Sequence, residues 1–309
     1  MQAIEVHNTQ PTFLAFIKTV LTALVFITSV AHAEYDRDAP MSKTSNGDIE
    51  IAYLSVGEVT DPPILIVMGL SASHRLWDPD LINGLLNGGY RVVLLDNRDT
   101  GESSKIQGRG KIWLWWQLLK WQVGLSVNSP YTLVDMAADA VTVLDALDIE
   151  KAHVIGASMG GMIAQIIAVD YPQRTNSLIS IMSTTGAPHL SPPGEQQSEG
   201  ISDMNESSEQ QAERLKNMGI FTSALPNQLT AIFNAGDRTE KVKQIAVPTL
   251  VLHGEDDQLL PIDHGQFTAE NIKGSTFKVY EDMGHNMPKQ IIPVMIRDML
   301  AHLDALNER

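Results

Sequence analysis

The fold is decided by residues 153–169, which read HVIGASMGGMIAQIIAV. A short apolar run predicts a buried strand, and the longer apolar stretch after it predicts a buried helix. Gly156, Gly160 and Gly161 surround Ser158 at the junction, which predicts a sharp turn where backbone segments pack closely. Such a turn presents the serine hydroxyl above the strand end, beside free N–H groups of the helix that stabilise developing negative charge. Ser158 is therefore a candidate nucleophile.

The chain on both sides of this stretch alternates short apolar runs with helical patterns. The runs are apolar on both faces, which suits strands covered by helices on either side and hence a mostly parallel sheet. A hairpin is predicted first, at residues 43–56 around Asn46-Gly47. Strands are predicted at residues 64–68, 91–95, 153–155, 178–182, 249–252 and 277–280, and helices at residues 81–86, 133–147, 159–169, 264–271 and 291–307. The predicted fold class is α/β, a doubly wound, mostly parallel sheet with a small inserted cap.

Two stretches interrupt this alternation. Residues 111–121, KIWLWWQLLKW, hold four of the five tryptophans and are apolar nearly all round. Three interpretations remain open for them: a piece of cap or core, a lid over an apolar pocket, or a membrane-surface patch between Trp113 and Trp121. Residues 187–243 are polar and acidic before a short apolar helix at residues 229–233, which predicts an inserted cap whose first half is a loop.

Composition restricts the partners and the chemistry. The 309 residues include no cysteine and have a net charge of −15, from 22 Lys and Arg against 37 Asp and Glu. The acidic total argues against nucleic acid as a partner, because neutralising phosphates needs a surplus of Lys and Arg. The absence of cysteine excludes disulfides, thiolate nucleophiles and Cys-ligated zinc. We therefore expect covalent chemistry on Ser, Thr, Asp or Lys, with a small molecule as the partner, and the sequence leaves the oligomeric state open.

The first 33 residues have the features of a signal peptide. Lys18 precedes an apolar stretch that ends in Ala31-His32-Ala33, small residues at the positions that a signal peptidase recognises. We expect cleavage after Ala33, export to the periplasm or the medium, and a mature domain at residues 34–309. The alternative is an uncleaved membrane anchor, because residues 13–31 are long enough to span a bilayer.

A serine nucleophile needs a histidine base and a carboxylate that orients it. Residues 171–194 contain no carboxylate, so the strand after the serine-bearing helix does not supply the acid. The next strand runs into GEDDQLLP, residues 254–261, where three acids compete. We predict Asp257, because its spacing to the glycine and proline suits a loop that leaves a strand, whereas Glu255 and Asp256 should face solvent. Asp256 is the main alternative.

Three histidines follow the predicted acid. His264 begins a predicted helix and His302 lies in the C-terminal helix, so both are interpreted as packing or surface residues. His285 lies instead in MGHNMP, residues 283–288, a loop between the last strand and the last helix. A lone histidine in a loop is usually structural, but the chain order serine, aspartate, histidine is the one that a doubly wound hydrolase requires. His285 is therefore the predicted base.

Two backbone N–H groups are expected to stabilise the oxyanion. One belongs to Met159, which follows the nucleophile, and the other comes from the loop after the strand at residues 64–68. That loop reads Met68-Gly69-Leu70-Ser71. Leu70 is the predicted donor and Gly69 the alternative.

Two other polar groups look chemical but are interpreted as structural. The loop DNRDTGES, residues 96–103, holds an arginine and aspartates at a glycine-rich turn, which is typical of a scaffold loop beside a site. His253 ends a predicted buried strand near Asp257, but the sequence offers no compact metal-ligand spacing such as His-x-x-x-His. We therefore expect no metal and no cofactor.

These segments together resemble the α/β-hydrolase superfamily, and the chain is similar to bacterial serine esterases of the aclacinomycin methylesterase branch. The resemblance implies hydrolysis of a small to medium carboxylic ester through an acyl-enzyme on Ser158, with His285 and Asp257 as partners. Two features depart from that branch: Met68 stands where relatives often have histidine, and the cap is short, with an added tryptophan-rich segment. The resemblance is carried by residues 67–70 with Trp77 and by residues 96–103, 156–165, 236–239, 254–261 and 283–285.

Other activities and roles remain open at this point. The same three side chains support cofactor-free perhydrolysis, thioester cleavage and hydrolysis of C–C bonds, and sequence spacing does not separate these reactions. A non-catalytic ligand-binding protein on the same scaffold is an alternative of another class, and a membrane-associated interaction protein that uses the tryptophans is a third.

Overall fold

One eight-stranded sheet forms the centre of the computed structural model, which describes residues 34–106, 111–195 and 208–307. The strand order is β1-β2-β4-β3-β5-β6-β7-β8. β2 pairs in antiparallel fashion with β1 and β4, and every other neighbouring pair is parallel. The opening hairpin and the mostly parallel sheet confirm the sequence prediction. The strands are β1 Ser42–Asn46, β2 Ile49–Val56, β3 Pro63–Val67, β4 Arg91–Leu95, β5 Ala152–Ala157, β6 Thr175–Ile181, β7 Thr249–Gly254 and β8 Thr276–Tyr280.

Some of the predicted segments lie outside the described residues. These are the signal peptide at residues 1–33 and residues 196–207 in the first half of the predicted cap. Within the described ranges, no helix combines the length and the apolarity needed to cross a bilayer.

Helices cover both faces of the sheet. The helices of the described residues are α1 Pro79–Asn87, α2 Lys111–Gln122, α3 Leu133–Ala146, α4 Met159–Asp170, α5 Glu209–Asn217, α6 Leu225–Ala235, α7 Thr239–Val242, α8 Ile262–Asn271 and α9 Ile292–Asn307. Alternate residues of β3 face opposite sides, so Leu65 and Val67 pack with α3 and α4, whereas Ile64 and Ile66 pack with α1 and α9. This alternation between two apolar cores explains why β3 is apolar at every position.

Local sequence signals set where the two best-defined helices begin. The side chain of Asp78 accepts a hydrogen bond from the Asp80 amide, and Pro79 occupies the first position of α1, where a missing N–H costs nothing. Thr132 and Asp135 form a reciprocal capping box at the start of α3, in which each side chain accepts from the other's backbone N–H. Both helices are thereby fixed against the sheet at defined positions.

The predicted cap region contains more helix than the sequence indicated. α6 begins at Leu225, not at residue 229 as predicted, because Pro226 lies in the first turn and is compatible with the helix there. α2 packs against this helix, and the rings of Trp121 and Phe233 lie 4.7 Å apart. Leu114 of α2 is buried, whereas Trp115 and Trp116 are exposed. The interpretation of this helix as a piece of cap or core, a lid or a membrane-surface patch stays a prediction.

Candidate active site

Ser158 sits at a strained turn between β5 and α4. Its backbone has φ 56° and ψ −120°, a conformation that L-residues rarely adopt, and its amide donates to the Ile181 carbonyl at 2.9 Å. A Cβ on Gly156 would lie 2.1 Å from the carbonyl oxygen of Gly160, and a Cβ on Gly160 would lie 2.1 Å from that of Val67. Only glycine at these positions lets the helix approach the strands closely enough to hold the turn.

A continuous chain of hydrogen bonds joins the three predicted triad residues. His285 Nε2 lies 2.9 Å from Ser158 Oγ, and His285 Nδ1 lies 2.8 Å from Asp257 Oδ2. The second oxygen of Asp257 accepts from the amides of Leu259 and Leu260, both at 2.9 Å. Asp257 is 1% exposed, and these backbone bonds hold its carboxylate in one orientation. The arrangement favours the imidazole tautomer that donates from Nδ1 and accepts from the serine at Nε2.

The sheet brings these residues together at one edge. Ser158 follows β5, Asp257 follows β7 and His285 follows β8, and the carboxyl ends of parallel strands meet at the same edge of a sheet. The structure places Asp257 at the histidine, whereas Glu255 and Asp256 are exposed. Asp256 contributes only its backbone, which donates to the Met283 carbonyl at 3.0 Å.

A second histidine lies behind the carboxylate. His253 Nε2 is 3.5 Å from Asp257 Oδ2, and it lies 2.8 Å from the carbonyl oxygen of Leu260, to which the Nε2–H tautomer donates. Burial lowers the pKa of His253 below its ordinary value, because an imidazolium in an apolar environment loses its hydration. His253 is therefore neutral near pH 7 and leaves the carboxylate to His285.

The loop after β3 runs beside the serine. A Cβ on Gly69 would lie 3.2 Å from Ser158 Cβ and 3.7 Å from Ser158 Oγ, so the backbone of this loop is in close contact with the nucleophile. Leu70 follows directly, and Met159 is the first, fully buried residue of α4. The structure thus brings both segments that carry the expected oxyanion donors next to Ser158, and donation by the Leu70 and Met159 amides stays a prediction.

A buried glutamine of the cap holds this loop in place. Ser71, which has φ 59°, donates from its amide to Gln228 Oε1 at 2.6 Å and accepts at its carbonyl from the Phe221 amide at 2.7 Å. Gln228 Nε2 in turn donates to the Arg98 carbonyl at 3.0 Å, and the whole side chain is buried. Because Ser71 follows Leu70, Gln228 controls the backbone beside the nucleophile.

Comparison with known proteins agrees with this fold. A family model described as alpha/beta hydrolase fold matches residues 62–205. The chain therefore has the α/β-hydrolase fold. Rhodomycin D methylesterase of Streptomyces peucetius is 23% identical over 86% of this chain and 99% of the relative. Non-heme chloroperoxidase of Burkholderia pyrrocinia is 27% identical over 85% of this chain and 99% of the relative. The crystal structure of a hydrolase from Pseudomonas aeruginosa PA01 superposes with a TM-score of 0.65, at 21% identity over 86% of this chain and 99% of that one.

The loop at residues 96–103, which the sequence predicts to be a scaffold, makes buried contacts with two helices. Arg98 forms a bidentate ion pair with Asp139 of α3, with both N–O distances at 2.7 Å. Asp99 accepts from the Tyr131 hydroxyl at 2.6 Å and from Asn227 Nδ2 at 3.0 Å. The arginine of the loop therefore pairs with a distant helix, and its aspartate connects to the cap helix α6.

Sequence analysis missed a buried histidine–aspartate pair at the same loop. His74 Nδ1 and the His74 amide lie 2.8 and 2.9 Å from Asp96 Oδ1, and the Glu102 amide donates to Asp96 Oδ2 at 2.9 Å. Burial pushes the pKa of Asp96 upward, but the hydrogen bonds and charge of His74 outweigh it and hold this pKa below its ordinary value. His74 belongs to no sequence motif, and Gln228 lies just before the predicted helix. The sequence therefore carries no local signal that either residue is a buried hydrogen-bond partner.

Proposed function

We propose that this α/β-hydrolase is a serine esterase that cleaves a small to medium, fairly apolar carboxylic ester through an acyl-enzyme intermediate. The observation that carries the proposal is the hydrogen-bonded chain from Ser158 through His285 to Asp257, at 2.9 and 2.8 Å. The similarity to rhodomycin D methylesterase over 86% of the chain supports the class of reaction.

In the first half of the reaction, Ser158 Oγ attacks the ester carbonyl while His285 Nε2 accepts its proton. Asp257 stabilises the imidazolium and keeps its Nδ1–H directed at the carboxylate. The amides of Met159 and Leu70 donate to the oxyanion that forms on the carbonyl oxygen. When this intermediate collapses, His285 gives the proton to the departing alcohol, and the acyl group stays on Ser158.

Water completes the cycle from the same side of the site. His285 removes a proton from the water as it attacks the acyl-enzyme, and the intermediate collapses to the free acid and the Ser158 hydroxyl. General acid–base help of this kind contributes roughly 10²–10⁴-fold, and an oxyanion donor contributes about 10²–10³-fold. The chemistry uses side chains and backbone N–H groups alone.

Labelling with a fluorophosphonate probe tests the mechanism directly. We expect the probe to form one covalent adduct on Ser158, which mass spectrometry of the tryptic peptide locates. Ser158→Ala should abolish labelling, and Ser45→Ala, which removes an exposed hydroxyl on β1, should leave it unchanged. Absent labelling, or equal labelling of Ser158→Ala, would favour a non-catalytic ligand-binding protein instead.

The substrate class is tested with a series of esters. Nitrophenyl esters of increasing acyl length, a matching thioester and a vinylogous C–C substrate should be compared by kcat/KM. We expect an ester with a short to medium acyl chain to be preferred. A preference of tenfold or more for the thioester or the C–C substrate would replace esterase by that activity.

The similarity to a non-heme chloroperoxidase supports one second candidate, cofactor-free perhydrolysis. In that reaction hydrogen peroxide replaces water in the second half, so that the acyl-enzyme yields a peracid and the free Ser158 hydroxyl. Peracid formation from an acyl ester and hydrogen peroxide, measured by oxidation of bromide, distinguishes the two. Peracid formed faster than free acid at equal water activity would favour the perhydrolase.

We also propose that residues 1–33 direct export and that cleavage follows Ala33. The support is the apolar stretch after Lys18 and the small residues at the predicted cleavage site. The N-terminal sequence of the protein recovered from a periplasmic extract should begin at Glu34. Full-length protein found only in the membrane fraction would support the uncleaved anchor.

A further inference from the structure

Large apolar side chains that stay exposed are concentrated in one short segment. Nine such side chains are exposed in the described part of the chain, and five of them lie within residues 115–125. Exposed apolar side chains gathered in this way mark a contact surface. We name these five side chains the tryptophan patch: Trp115 (62% exposed), Trp116 (53%), Trp121 (50%), Val123 (63%) and Leu125 (59%).

The helix that carries the patch is held in place from its inner side. Leu114 and Gln117 of α2 are buried, and Gln117 Oε1 accepts from the Asn128 amide at 2.9 Å. Trp121 packs on Phe233 of α6 with one side of its ring and leaves half of its surface exposed. These contacts hold α2 in place from its inner side, while Trp115 and Trp116 remain exposed to solvent.

The charge of this part of the chain is opposite to that of the whole. Residues 103–134 contain Lys105, Arg109, Lys111 and Lys120 and no Asp or Glu, in a chain whose net charge is −15. Among them, the Lys105 ammonium donates to three backbone carbonyls of its own loop, and Lys120 lies on α2 itself. A segment of positive net charge in an acidic protein complements a negatively charged surface.

We propose that the tryptophan patch docks on an anionic lipid bilayer. Tryptophan is enriched where membrane meets water, because its ring is apolar and its N–H can still hydrogen-bond at the headgroups. An apolar helix face with flanking cations binds in the plane of the interface, and the attraction of Lys and Arg to anionic lipids adds to the apolar burial. In this arrangement the patch lies at the headgroup boundary, and the positive net charge of residues 103–134 adds attraction to the anionic lipid.

Two other occupants fit the patch less well. A two-fold dimer would place the same surface of both copies face to face and would oppose two segments of the same positive net charge. A bound small molecule needs a concave site that buries most of its surface, whereas Trp115 and Trp116 are both more than half exposed. An anionic bilayer, by contrast, offers an apolar interior to the exposed tryptophans and a negative surface to the positively charged segment.

Tryptophan quenching by brominated lipids tests the proposal on the full chain. Residues 1–33 contain no tryptophan, and the one tryptophan outside residues 113–121, Trp77, is buried. Quenching therefore reports contact of the patch with lipid whether or not the leader also inserts. We expect strong quenching in vesicles of brominated phosphatidylcholine with phosphatidylglycerol, and weaker quenching when phosphatidylglycerol is left out or salt is raised.

Variants separate the patch from the leader. Trp115→Ser with Trp116→Ser should lower quenching of the remaining tryptophans and weaken vesicle partitioning by roughly tenfold, because binding scales with buried apolar area. Lys111→Glu with Lys120→Glu should lower quenching in anionic vesicles only. Val59→Ser, which removes an equally exposed apolar side chain elsewhere, should change neither quantity. Unchanged hydrolysis of a soluble nitrophenyl ester confirms that each variant is folded.

Three results would overturn the proposal. Vesicle-bound protein without quenching would show that the leader alone binds lipid. Equal quenching in the Trp115→Ser, Trp116→Ser variant would place the lipid contact elsewhere. A dimer in vesicle-free solution that this variant converts to a monomer would identify a second copy of the chain as the occupant.

Discussion

Gln228 of the cap helix α6 accepts a 2.6 Å hydrogen bond from the amide of Ser71, the residue that follows Leu70. The bond crosses from the cap to the loop that contacts Ser158, and the same glutamine also holds the Arg98 carbonyl. Helix α6 of the predicted cap therefore fixes the backbone on which the predicted oxyanion donor depends.

Replacing this glutamine should affect catalysis more than binding. Gln228→Met keeps the length of the side chain but leaves the Ser71 amide without its acceptor, so that the loop relaxes and the Leu70 donor moves. We expect kcat for a nitrophenyl ester to fall by about tenfold or more, with a smaller change in KM. Gln244→Met, at an exposed position, is the matched control. A loss confined to KM would indicate that Gln228 shapes the pocket instead.

Substitution at the acidic loop should distinguish two neighbouring aspartates. Asp257→Asn removes the carboxylate that orients His285 and favours the wrong imidazole tautomer, so kcat should fall by about 10⁴-fold. Asp256→Asn changes an exposed side chain and should leave kcat within about twofold. Steady-state hydrolysis of one nitrophenyl ester at several pH values measures kcat for both variants. Comparable losses in the two variants would contradict the assignment of Asp257.

Removing the buried carboxylate of Asp96 should destabilise the fold in a pH-dependent way. Its pKa in the folded protein lies below the ordinary value, so its contribution is present above the unfolded pKa and is lost as the pH falls through the folded pKa. We expect Asp96→Asn to lower the free energy of unfolding by about 3–5 kcal/mol at pH 7, because His74 loses its partner.

Urea unfolding of the parent and of Asp96→Asn, at pH 7 and at lower pH values, measures the difference between their free energies of unfolding. This difference should become smaller below about pH 4, where the Asp96 carboxylate of the unfolded chain is already protonated. Asp256→Asn again serves as the control, with no loss expected at either pH. A difference that stays constant with pH would mean that the charge of Asp96 contributes nothing.

The turn at the nucleophile should tolerate no side chain at Gly160. A Cβ there would meet the backbone oxygen of Val67 at 2.1 Å, and a backbone atom cannot rotate away from the contact. We expect Gly160→Ala to lower the free energy of unfolding by about 3 kcal/mol, the upper end of the usual cost of overpacking, because the clash is with backbone. Thermal unfolding followed by circular dichroism tests this, and a variant as stable as the parent would contradict the close approach of α4 to β3.

The sequence predicted the fold because its signals are local or ordered along the chain. The glycines around Ser158 made it the candidate nucleophile, and the loops after two later strands supplied the candidates Asp257 and His285, whose catalytic roles stay predictions. The choice of Asp257 over Asp256 used turn chemistry within eight residues, and the structure buries the first and exposes the second.

Contacts between distant polar residues could not be predicted in the same way. Gln228 and Ser71 are 157 residues apart, and His74 and Asp96 are 22 apart with no shared motif. Such pairs form because a polar group that packing buries needs a hydrogen-bond partner. A single sequence does not indicate which distant residue supplies that partner. The start of α6 was placed too late because Pro226 breaks an apolar pattern although it is compatible with the first turn of a helix.

The hydrogen bond between His285 and Ser158 joins residues that are 127 positions apart in the chain. Ser158 follows β5 and His285 follows β8, and β6 and β7 lie between these two strands in the sheet. Contacts of such long range form late in folding, because each requires a large loop to close. After dilution from denaturant, ester turnover should therefore recover only when the last strand has docked, later than the return of helical signal. Regain of hydrolysis then serves as a kinetic marker for completion of the sheet.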